Sequence, residues 1–264
     1  MKAVVCVKQV AVLGDEVEFR DDERDVDPDY LERALNEWDV VAVEEALRIT
    51  EAGGGDAGAT GADEESEVVV VTVGDQEADE ALRRCLAMGA HRAIRVTADG
   101  VETADPLTVA CLLAAVVARE DPGLVLCGVQ SSDAVQAATG VMLAGLLGMA
   151  CVAVVTKVSY EQAAGRATVH RELEGGLIDV VEVETPAVLT IQTGINEPRY
   201  ATLRAIKQAR LKEIEVVEPD SPAPGAYRVR RMFAPEKGAG AEMLADSAAT
   251  VAARIAEIVR ARLS

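Results

Sequence analysis

The chain has 264 residues, which suits one large domain or a core domain with additions. Its 45 acidic residues outnumber 26 basic ones, and the resulting net charge of -19 argues against nucleic acid as a partner, because phosphate contacts need a basic surface. No segment approaches the roughly 18–20 apolar residues of a membrane span, and the start has no signal-peptide layout, so we expect a cytoplasmic protein that is not membrane-embedded.

The basic residues are dominated by arginine, with twenty Arg against six Lys. An acidic, lysine-poor surface over an ordinary apolar core is the composition expected where concentrated salt screens the repulsion between like charges. We therefore predict a halophilic protein.

Cysteine and histidine are sparse and separated. The five cysteines lie singly in apolar segments without the CxxC spacing of zinc or redox sites, and the two histidines, His91 and His170, are far apart. We expect buried thiols in a reducing compartment and no metal site.

Short apolar runs rich in Val, Ile and Leu mark the predicted strands. They are Lys2–Val7, Val68–Val73, Ala93–Val96, Leu124–Cys127, Cys151–Val158 and Ala187–Ile191. Continuous runs of this kind are typical of parallel strands that are buried on both faces.

Helical patterns separate most of these strands. They cover Asp39–Thr50, Glu77–Met88 with a stop at Gly89, Ala104–Arg119 and Ala137–Leu147. Strands alternating with helices predict right-handed βαβ units in an α/β fold with a doubly wound, mainly parallel sheet.

Two segments interrupt or follow this core. Ala52–Ser66 is rich in Gly, Ala and Asp and is predicted to be a solvated surface insertion. Glu215–Gly225 is a Pro-rich linker, followed by a predicted strand, Tyr227–Phe233, and an amphipathic helix, Glu242–Leu263. We divide the chain into a core, residues 1–218, and a C-terminal arm, residues 219–264.

Four predicted loops should meet where the parallel strands end, which is the edge at which open α/β sheets bind ligands. They are residues 6–9, 36–39, 72–75 and 128–133. Asn36 or Asp39 is a candidate N-cap of the first helix.

The loop that begins at Gly128 is the strongest candidate. It leads through Ser131 and Asp133 into Thr139-Gly140, where free helix amides would attract a phosphate. There is no GxGxxG and no Walker motif, so the residues alone leave nucleotide binding and simple turn structure both open.

No acid, base or nucleophile stands out. Ser131 and Ser132 have no GxSxG context, and neither histidine is part of a recognisable triad. This favours binding or electron transfer over bond-making catalysis.

The segment 193–210, TGINEPRYATLRAIKQAR, follows a core strand and carries apolar residues on a polar loop. Loops of this kind commonly contact another molecule.

Long motifs in the chain resemble the β subunit of electron transfer flavoprotein, including its FixA-type relatives. They are VVCVKQV, NEWDVVAVEEALRI, VVVVTVGDQEADEALRRCLAMGAHRAI, LVLCGVQSSD, VHRELEGG with ETPAVLTIQ, and GINEPRYATLRAIKQARLKEIEV. They cover most of residues 1–218 in the order that the family has them.

This resemblance implies a Rossmann-like, adenine-nucleotide α-hydrolase-like core and a heterodimer with an α subunit, on which the C-terminal arm would pack. FAD would be shared with the α subunit, and Trp38 would face the dimethylbenzene edge of the flavin. AMP would be held by the β subunit. The implied cofactor-binding residues are Cys6, Asn36, Glu37, Trp38, Asp39, Val73, Gly128, Val129, Gln130, Ser131, Asp133, Ala137, Ala138, Thr139 and Gly140.

The resemblance also makes residues 193–210 a recognition loop, with Leu203 as the anchor into a partner dehydrogenase. The implied partner-binding residues are Glu197, Pro198, Arg199, Tyr200, Leu203, Arg171 and Glu172, the last two near the subunit interface. The implied function is an electron carrier from dehydrogenases such as acyl-CoA dehydrogenases towards a membrane quinone oxidoreductase, with the redox chemistry on the flavin.

The chain departs from the family's pattern in two places, and these leave alternatives for the bound nucleotide and the function. Ala137 and Ala138 replace polar residues that help to hold the AMP phosphate, so phosphate binding would rely on Ser131, Asp133, Thr139 and helix amides. Asp39 and the tail VRRMFAPEKGAGAE are closer to FixA-type proteins, some of which bind a second FAD and bifurcate electrons. A stand-alone adenine-nucleotide sensor is a third possibility.

Overall fold

The computed structural model describes residues 1–14, 17–53, 66–98, 104–219, 229–234, 240–241 and 243–263. The chain divides into two compact units, Met1–Arg231 and Met232–Ser264.

The first unit is built on one large sheet. Its strands are β1 (Lys2–Cys6), β4 (Glu67–Val73), β5 (Arg92–Val96), β6 (Leu124–Gly128), β7 (Ala150–Glu161), β8 (Arg166–Leu173), β9 (Leu177–Glu184), β10 (Ala187–Ile191) and β11 (Glu215–Val217). In the described residues their order is β11-β5-β4-β1-β6-β10-β7-β8-β9. Neighbours are parallel from β11 to β7, and β8 and β9 continue the sheet antiparallel.

Helices cover both faces of the parallel part. They are α1 (Glu37–Gly53), α2 (Asp79–Met88), α3 (Pro106–Glu120), α4 (Thr139–Leu147) and α5 (Leu203–Ala209). Apolar residues of α1 and α2 form one core with Ala3 and Val5 of β1, whereas those of α3 and α4 form another with Val4 and Cys6. The alternation of β1 side chains between two cores confirms the predicted α/β fold with a mainly parallel sheet buried on both faces.

Helix ends follow local chemistry. Asp105 caps α3 by accepting a hydrogen bond from Thr108 N, and Gly89, at φ +130°, ends α2 as predicted. Each of the helices α1 to α4 begins two residues away from its predicted start, since α1 begins at Glu37 and α4 at Thr139.

The region around β7 differs from the prediction. The strand predicted at Cys151–Val158 is longer, and its far side pairs antiparallel with β8, which pairs in turn with β9. The sequence pattern did not predict β8 and β9, because only alternate residues such as Ala167 and Val169 are buried and no apolar run forms.

A second, two-stranded sheet was also not predicted. It pairs β2 (Gln9–Leu13) antiparallel with β3 (Leu31–Leu35). Both strands are half polar and largely exposed, so they lack the buried run by which the other strands were recognised.

The predictions for the C-terminal part need correction. Glu215–Val217, predicted as linker, is strand β11 and pairs with β5, which gives that edge strand a partner. Residues 229–233 of the predicted strand Tyr227–Phe233 form no strand, and Tyr227 and Arg228 lie outside the described residues. In the second unit the helix predicted at Glu242–Leu263 is α6 (Ala248–Leu263), and Glu242 is likewise outside them.

The predicted insertion Ala52–Ser66 coincides largely with residues 54–65, which lie outside the described residues. Helix α1 extends into its start, to Gly53.

Candidate functional site

The chain reverses its direction across the sheet between β1 and β6. From β1 it proceeds through β4 and β5 on one side, and then through β6, β7 and β10 on the other. Such a switch point opens a crevice at the carboxyl ends of the strands, where open α/β sheets bind ligands. The loops after Cys6 and Gly128 border this crevice, called here the switch-point cleft.

Asp39 ties these two loops together. Its Oδ2 accepts a hydrogen bond from Lys8 N at 2.7 Å, and its Oδ1 accepts one from Gly128 N at 3.0 Å. A Cβ at position 128 would lie 2.3 Å from Asp39 Oδ1 and 2.6 Å from Trp38 Cβ. Only glycine therefore lets the loop approach helix α1 so closely.

The Asp39 carboxyl group is buried, and burial raises its pKa to about 7 despite the hydrogen bonds from Lys8 N, Asn36 and Gly128 N and the charge of Lys8. Ionisation of a group in this place is costly because little water reaches it. The two backbone donors partly offset that cost.

Asn36 holds the next part of the same loop. Its Nδ2 donates to the carbonyl oxygen of Gln130 at 2.8 Å, and its Oδ1 accepts from Ser132 N at 3.3 Å. Asn36 precedes the first residue of α1, but its side chain bonds across the cleft, and only its backbone carbonyl accepts from Asp39 N and Val40 N. The side chains of Asn36 and Asp39, predicted to bind cofactor, thus hold the loops that line the cleft.

Lys8 is a charged group of the cleft that lies in the first predicted loop but was not among the predicted cofactor-binding residues. Its Nζ lies 2.7 Å from Asp133 Oδ1 and 3.4 Å from Ser131 Oγ. Burial raises the pKa of Asp133, but the hydrogen bonds from Lys8 and Ser131 outweigh it and hold the pKa below its usual value. Asp133 is therefore a carboxylate that accepts hydrogen bonds. The position of Lys8 directly beyond β1 was the available signal.

The loop between Asp133 and α4 is exposed and has an unusual backbone. Val135 and Ala137 have φ angles of 51° and 48°, a region that branched and Cβ-bearing residues seldom occupy. Strain of this kind is concentrated at ligand-binding and active sites. Among the described residues, no side chain caps the start of α4 at Ala138, so the first amides of this helix are available to an anion.

The remaining predicted cofactor-binding residues surround the same edge. Cys6 and Cys127 are opposite one another in β1 and β6, and a hydrogen bond between their thiols, together with burial, raises the pKa of Cys127. Val73 ends β4, Val129 N donates to Ile191 O, and Glu37 is the exposed first residue of α1. Gly140 has a packing role, because its absent Cβ would be 2.9 Å from Thr190 Cγ2.

Trp38 lies at the start of α1 and is half-buried. Its Nε1 donates to Gln192 Oε1 at 2.9 Å, which fixes the indole against the residue that follows β10. Gln192 was not among the predicted site residues. The fixed ring leaves part of its surface accessible.

The predicted recognition loop is fastened to α1 by Arg199. Its Nε lies 2.8 Å from Glu44 Oε2, and its Nη1 lies 2.6 Å from Glu51 Oε1. Burial raises the pKa of Glu44, but hydrogen bonds from Arg199 and Arg48 outweigh it and hold that pKa below the usual value.

Two further contacts fix the same loop. Asn196 Nδ2 donates to Val41 O at 3.0 Å and to Glu45 Oε2 at 2.9 Å, and Arg48 donates to the carbonyl oxygen of Glu197 at 3.2 Å. The backbone of residues 196–199 is therefore held along α1.

The apolar residues that follow project outward. Tyr200 is 99% exposed and Leu203 is 80% exposed. Leu203 is the first residue of α5, which Thr202 caps by accepting a hydrogen bond from Ala205 N at 3.2 Å. A rigid segment thus presents two apolar side chains to the solvent.

Arg171 and Glu172 lie on β8, opposite Asp179 and Ile178 of β9. The Nε atom of Arg171 is buried and has no partner among the described residues.

In the described residues, no group of three or more His, Cys, Asp or Glu side chains is arranged to hold a metal ion. No helix there is long and apolar enough to cross a membrane.

Comparison with known proteins assigns the chain to a family. Residues 26–222 match the electron transfer flavoprotein domain. The chain is 44% identical to the electron transfer flavoprotein subunit beta of Methylophilus methylotrophus, over 98% of both chains. The chain belongs to the electron transfer flavoprotein β-subunit family.

More distant members of the family are also similar. The electron transfer flavoprotein subunit beta of Bradyrhizobium diazoefficiens is 39% identical over 81% of this chain and 80% of its own. The mouse subunit is 34% identical over 83% of this chain and 81% of its own. The resemblance inferred from the motifs is thereby confirmed, and the role is that of an electron transfer flavoprotein β subunit.

Proposed function

We propose that this chain pairs with an electron transfer flavoprotein α subunit and that the heterodimer carries electrons from flavin dehydrogenases, such as acyl-CoA dehydrogenases, towards a membrane quinone oxidoreductase. The observation that carries the proposal is the rigid presentation of Tyr200 and Leu203. Both are exposed, yet the preceding residues are fixed to α1 through Arg199 and Asn196. A pre-organised apolar contact loses little entropy on docking, which suits brief electron-transfer encounters.

We assign the switch-point cleft to AMP. The open loop and the uncapped amides at the start of α4 fit a phosphate group, and Ser131 and Thr139 add hydroxyl groups. Asp133 accepts hydrogen bonds and repels a phosphate, so we revise its role: it holds Lys8 and can accept from a ribose hydroxyl or a base amino group.

We assign the accessible face of Trp38 to the edge of FAD, which supplies the transfer of electrons when bound. Gln192 fixes the indole, and the protein's part is to orient the ring and exclude water. Exposed apolar residues on β8 and β9, among them Leu177 and Val180, and the exposed Ile255 and Leu263 of α6 offer surfaces for the α subunit.

The first experiment identifies small molecules released from the co-expressed heterodimer by mass spectrometry, with flavin quantified per heterodimer. One FAD and one AMP are expected. Two FAD and no AMP would contradict the AMP assignment and favour the bifurcating alternative, in keeping with the absence of polar side chains at Ala137 and Ala138. A stable monomer with adenine nucleotide and no FAD would favour a sensor.

The second experiment tests docking with Leu203→Ala. Reduction of the heterodimer by an acyl-CoA dehydrogenase should slow by about tenfold or more, since a buried leucine contact at an interface is worth about 1.5–3 kcal/mol. FAD content should not change. Unaltered reduction kinetics would contradict the role of Leu203 as an anchor.

A further inference from the structure

A groove of about 670 Å³ lies between α2, the recognition loop and α5. Val40, Ala87 and Met88 form its apolar floor, and each is less than 10% exposed. Tyr200 and Ile206 stand at its border, so the groove continues the surface that presents Leu203. We call it the arginine groove, because four arginine side chains line it.

Two of the four arginines are used within the protein. Arg83 Nη1 donates to the carbonyl oxygens of Ala209 and Lys212 at the end of α5, and Arg199 is paired with Glu44 and Glu51. These contacts hold the walls of the groove together. Neither guanidinium is free to take up a new anion without loosening a wall.

Arg84 and Arg210 are different. Both are exposed, and neither guanidinium has a hydrogen bond or an ion pair within the part of the chain that the structure describes. Glu80 is the one carboxylate among the residues that line the groove. Two unpaired cations thus flank an apolar floor.

This local charge is opposite to that of the molecule as a whole. The chain has a net charge of -19, so its surface repels acidic partners in general. Free guanidinium groups beside apolar surface are suited to a carboxylate with apolar neighbours, because the planar fork of arginine matches a carboxylate. The position beside Tyr200 and Leu203 indicates that the same partner reaches both surfaces.

We propose that the arginine groove receives an acidic segment of the dehydrogenase on which Leu203 docks, with Arg84 and Arg210 pairing its carboxylates. This inference rests on the proposed function, since it names a second contact of the same encounter. It gives the encounter an orientation that a single leucine anchor does not define.

The test uses the FAD-loaded heterodimer and a purified acyl-CoA dehydrogenase with its substrate. Arg84→Glu combined with Arg210→Glu should raise the KM for the heterodimer by about tenfold at low ionic strength, because rim charges act on encounter and its salt dependence. The dependence of KM on salt should become weaker, and FAD content should match the unmodified protein. The matched control is Arg20→Glu with Arg24→Glu, which changes the net charge equally at exposed residues outside the groove.

A second measurement locates the contact. Arg84→Lys with Arg210→Lys keeps the charge and introduces amines that a carbodiimide joins to carboxylates in contact with them. Cross-links from position 84 or 210 to dehydrogenase Asp or Glu residues are expected.

Three outcomes would overturn the proposal. One is a KM that the charge reversal in the groove does not change, while Leu203→Ala still impairs reduction. Docking through Leu203 would then hold without a contribution from the arginine groove. Another is loss of FAD or of the α subunit from the charge-reversed protein, which would place the α subunit in the groove. The third is an equal rise of KM in the control. If the unmodified heterodimer accepts no electrons from the dehydrogenase, the proposed function itself fails.

Discussion

In the switch-point cleft, the side chains of Asp39 and Asn36 mainly hold the backbone of the surrounding loops in place. Asp39 accepts from two loop amides, and Asn36 bonds to the loop on both sides of Ser131. In the proposed function, the contacts with the ligand come from the hydroxyl groups, the α4 amides and the Lys8–Asp133 pair. A change at Asp39 or Gly128 should therefore affect the shape of the cleft before it affects any ligand contact.

Gly128→Ala should destabilise the chain by about 1–3 kcal/mol, the range for inserting a methyl group into a packed site. The new Cβ would clash with Asp39 Oδ1 and Trp38 Cβ. Denaturant unfolding measures the effect. Gly145→Ala in α4 is the matched control, because no atom of the described residues lies within 4 Å of a Cβ there and alanine favours a helix. Equal stability of the two variants would contradict the steric argument.

Asp39 should make the stability of the chain depend on pH. Its folded pKa of about 7 lies above its ordinary 3.8, so the unfolded chain ionises first and stability falls as pH rises through that window. Relative to Asp39→Asn, the unmodified chain should lose on the order of 4 kcal/mol between pH 4 and pH 8. Denaturant unfolding at several pH values provides the measurement. A difference between the two proteins that does not vary with pH would refute the assignment.

At the scale of elements, helix α1 connects the two functional regions. Its start carries Trp38 and Asp39, and its middle and end carry Glu44 and Glu51, which hold Arg199. The cleft and the recognition loop are thus positioned by one rigid helix. We expect that loosening the loop from α1 leaves the cleft intact.

Arg199→Gln should cost about 2 kcal/mol of stability at neutral pH, the scale of a hydrogen bond to a charged group. The pKa of Glu44 is lowered in the folded state, so this contribution is present above the ordinary pKa of 4.5 and disappears as pH falls through the lowered value. Unfolding free energies measured at pH 7 and at successively lower pH test this, with Arg204→Gln, an exposed arginine of α5, as the control. A loss that stays the same at every pH in the series would argue against the ion pair.

At the scale of the whole molecule, the net charge of -19 governs its response to salt. The 45 acidic residues outnumber the six lysines and twenty arginines, so many acidic side chains cannot have a basic partner of their own. Self-repulsion of a compact acidic chain decreases as the Debye length falls from about 10 Å at 0.1 M salt to 3 Å at 1 M.

The melting temperature should therefore rise as KCl is increased from 0.05 M to molar concentrations, by about 2–8 °C if screening contributes 1–2 kcal/mol. Sucrose at matched osmolarity is the control for a general solute effect. A melting temperature that is the same at low and high KCl would refute the halophilic prediction.

The sequence predicted the buried parallel strands well, and it missed the exposed antiparallel strands and the short parallel edge strand β11. Strand β4 is an uninterrupted apolar run because both of its faces are covered by helices. Strand β9 is mostly exposed, so its residues leave no comparable pattern. The loops at the carboxyl edge were predictable for the same reason, since each follows a buried run.

The roles of individual residues within those loops could not be predicted as well from the sequence. Asp39 meets Gly128 across 89 positions of the chain, and Arg199 meets Glu44 across 155. The residue type alone does not distinguish a carboxylate that binds a ligand from one that binds a distant backbone amide. Lys8 and Gln192 were overlooked for the same reason.

The sequence by itself determined the family, the parallel α/β core and the place of the recognition loop, because apolar runs and long motifs are local properties of the chain. The tertiary structure decided which side chains face inward, how Arg199 fastens that loop to α1, and that Arg84 and Arg210 have no ion-pair partner beside it among the described residues. These depend on contacts between distant segments, which exist only after the sheet and its helices have packed together.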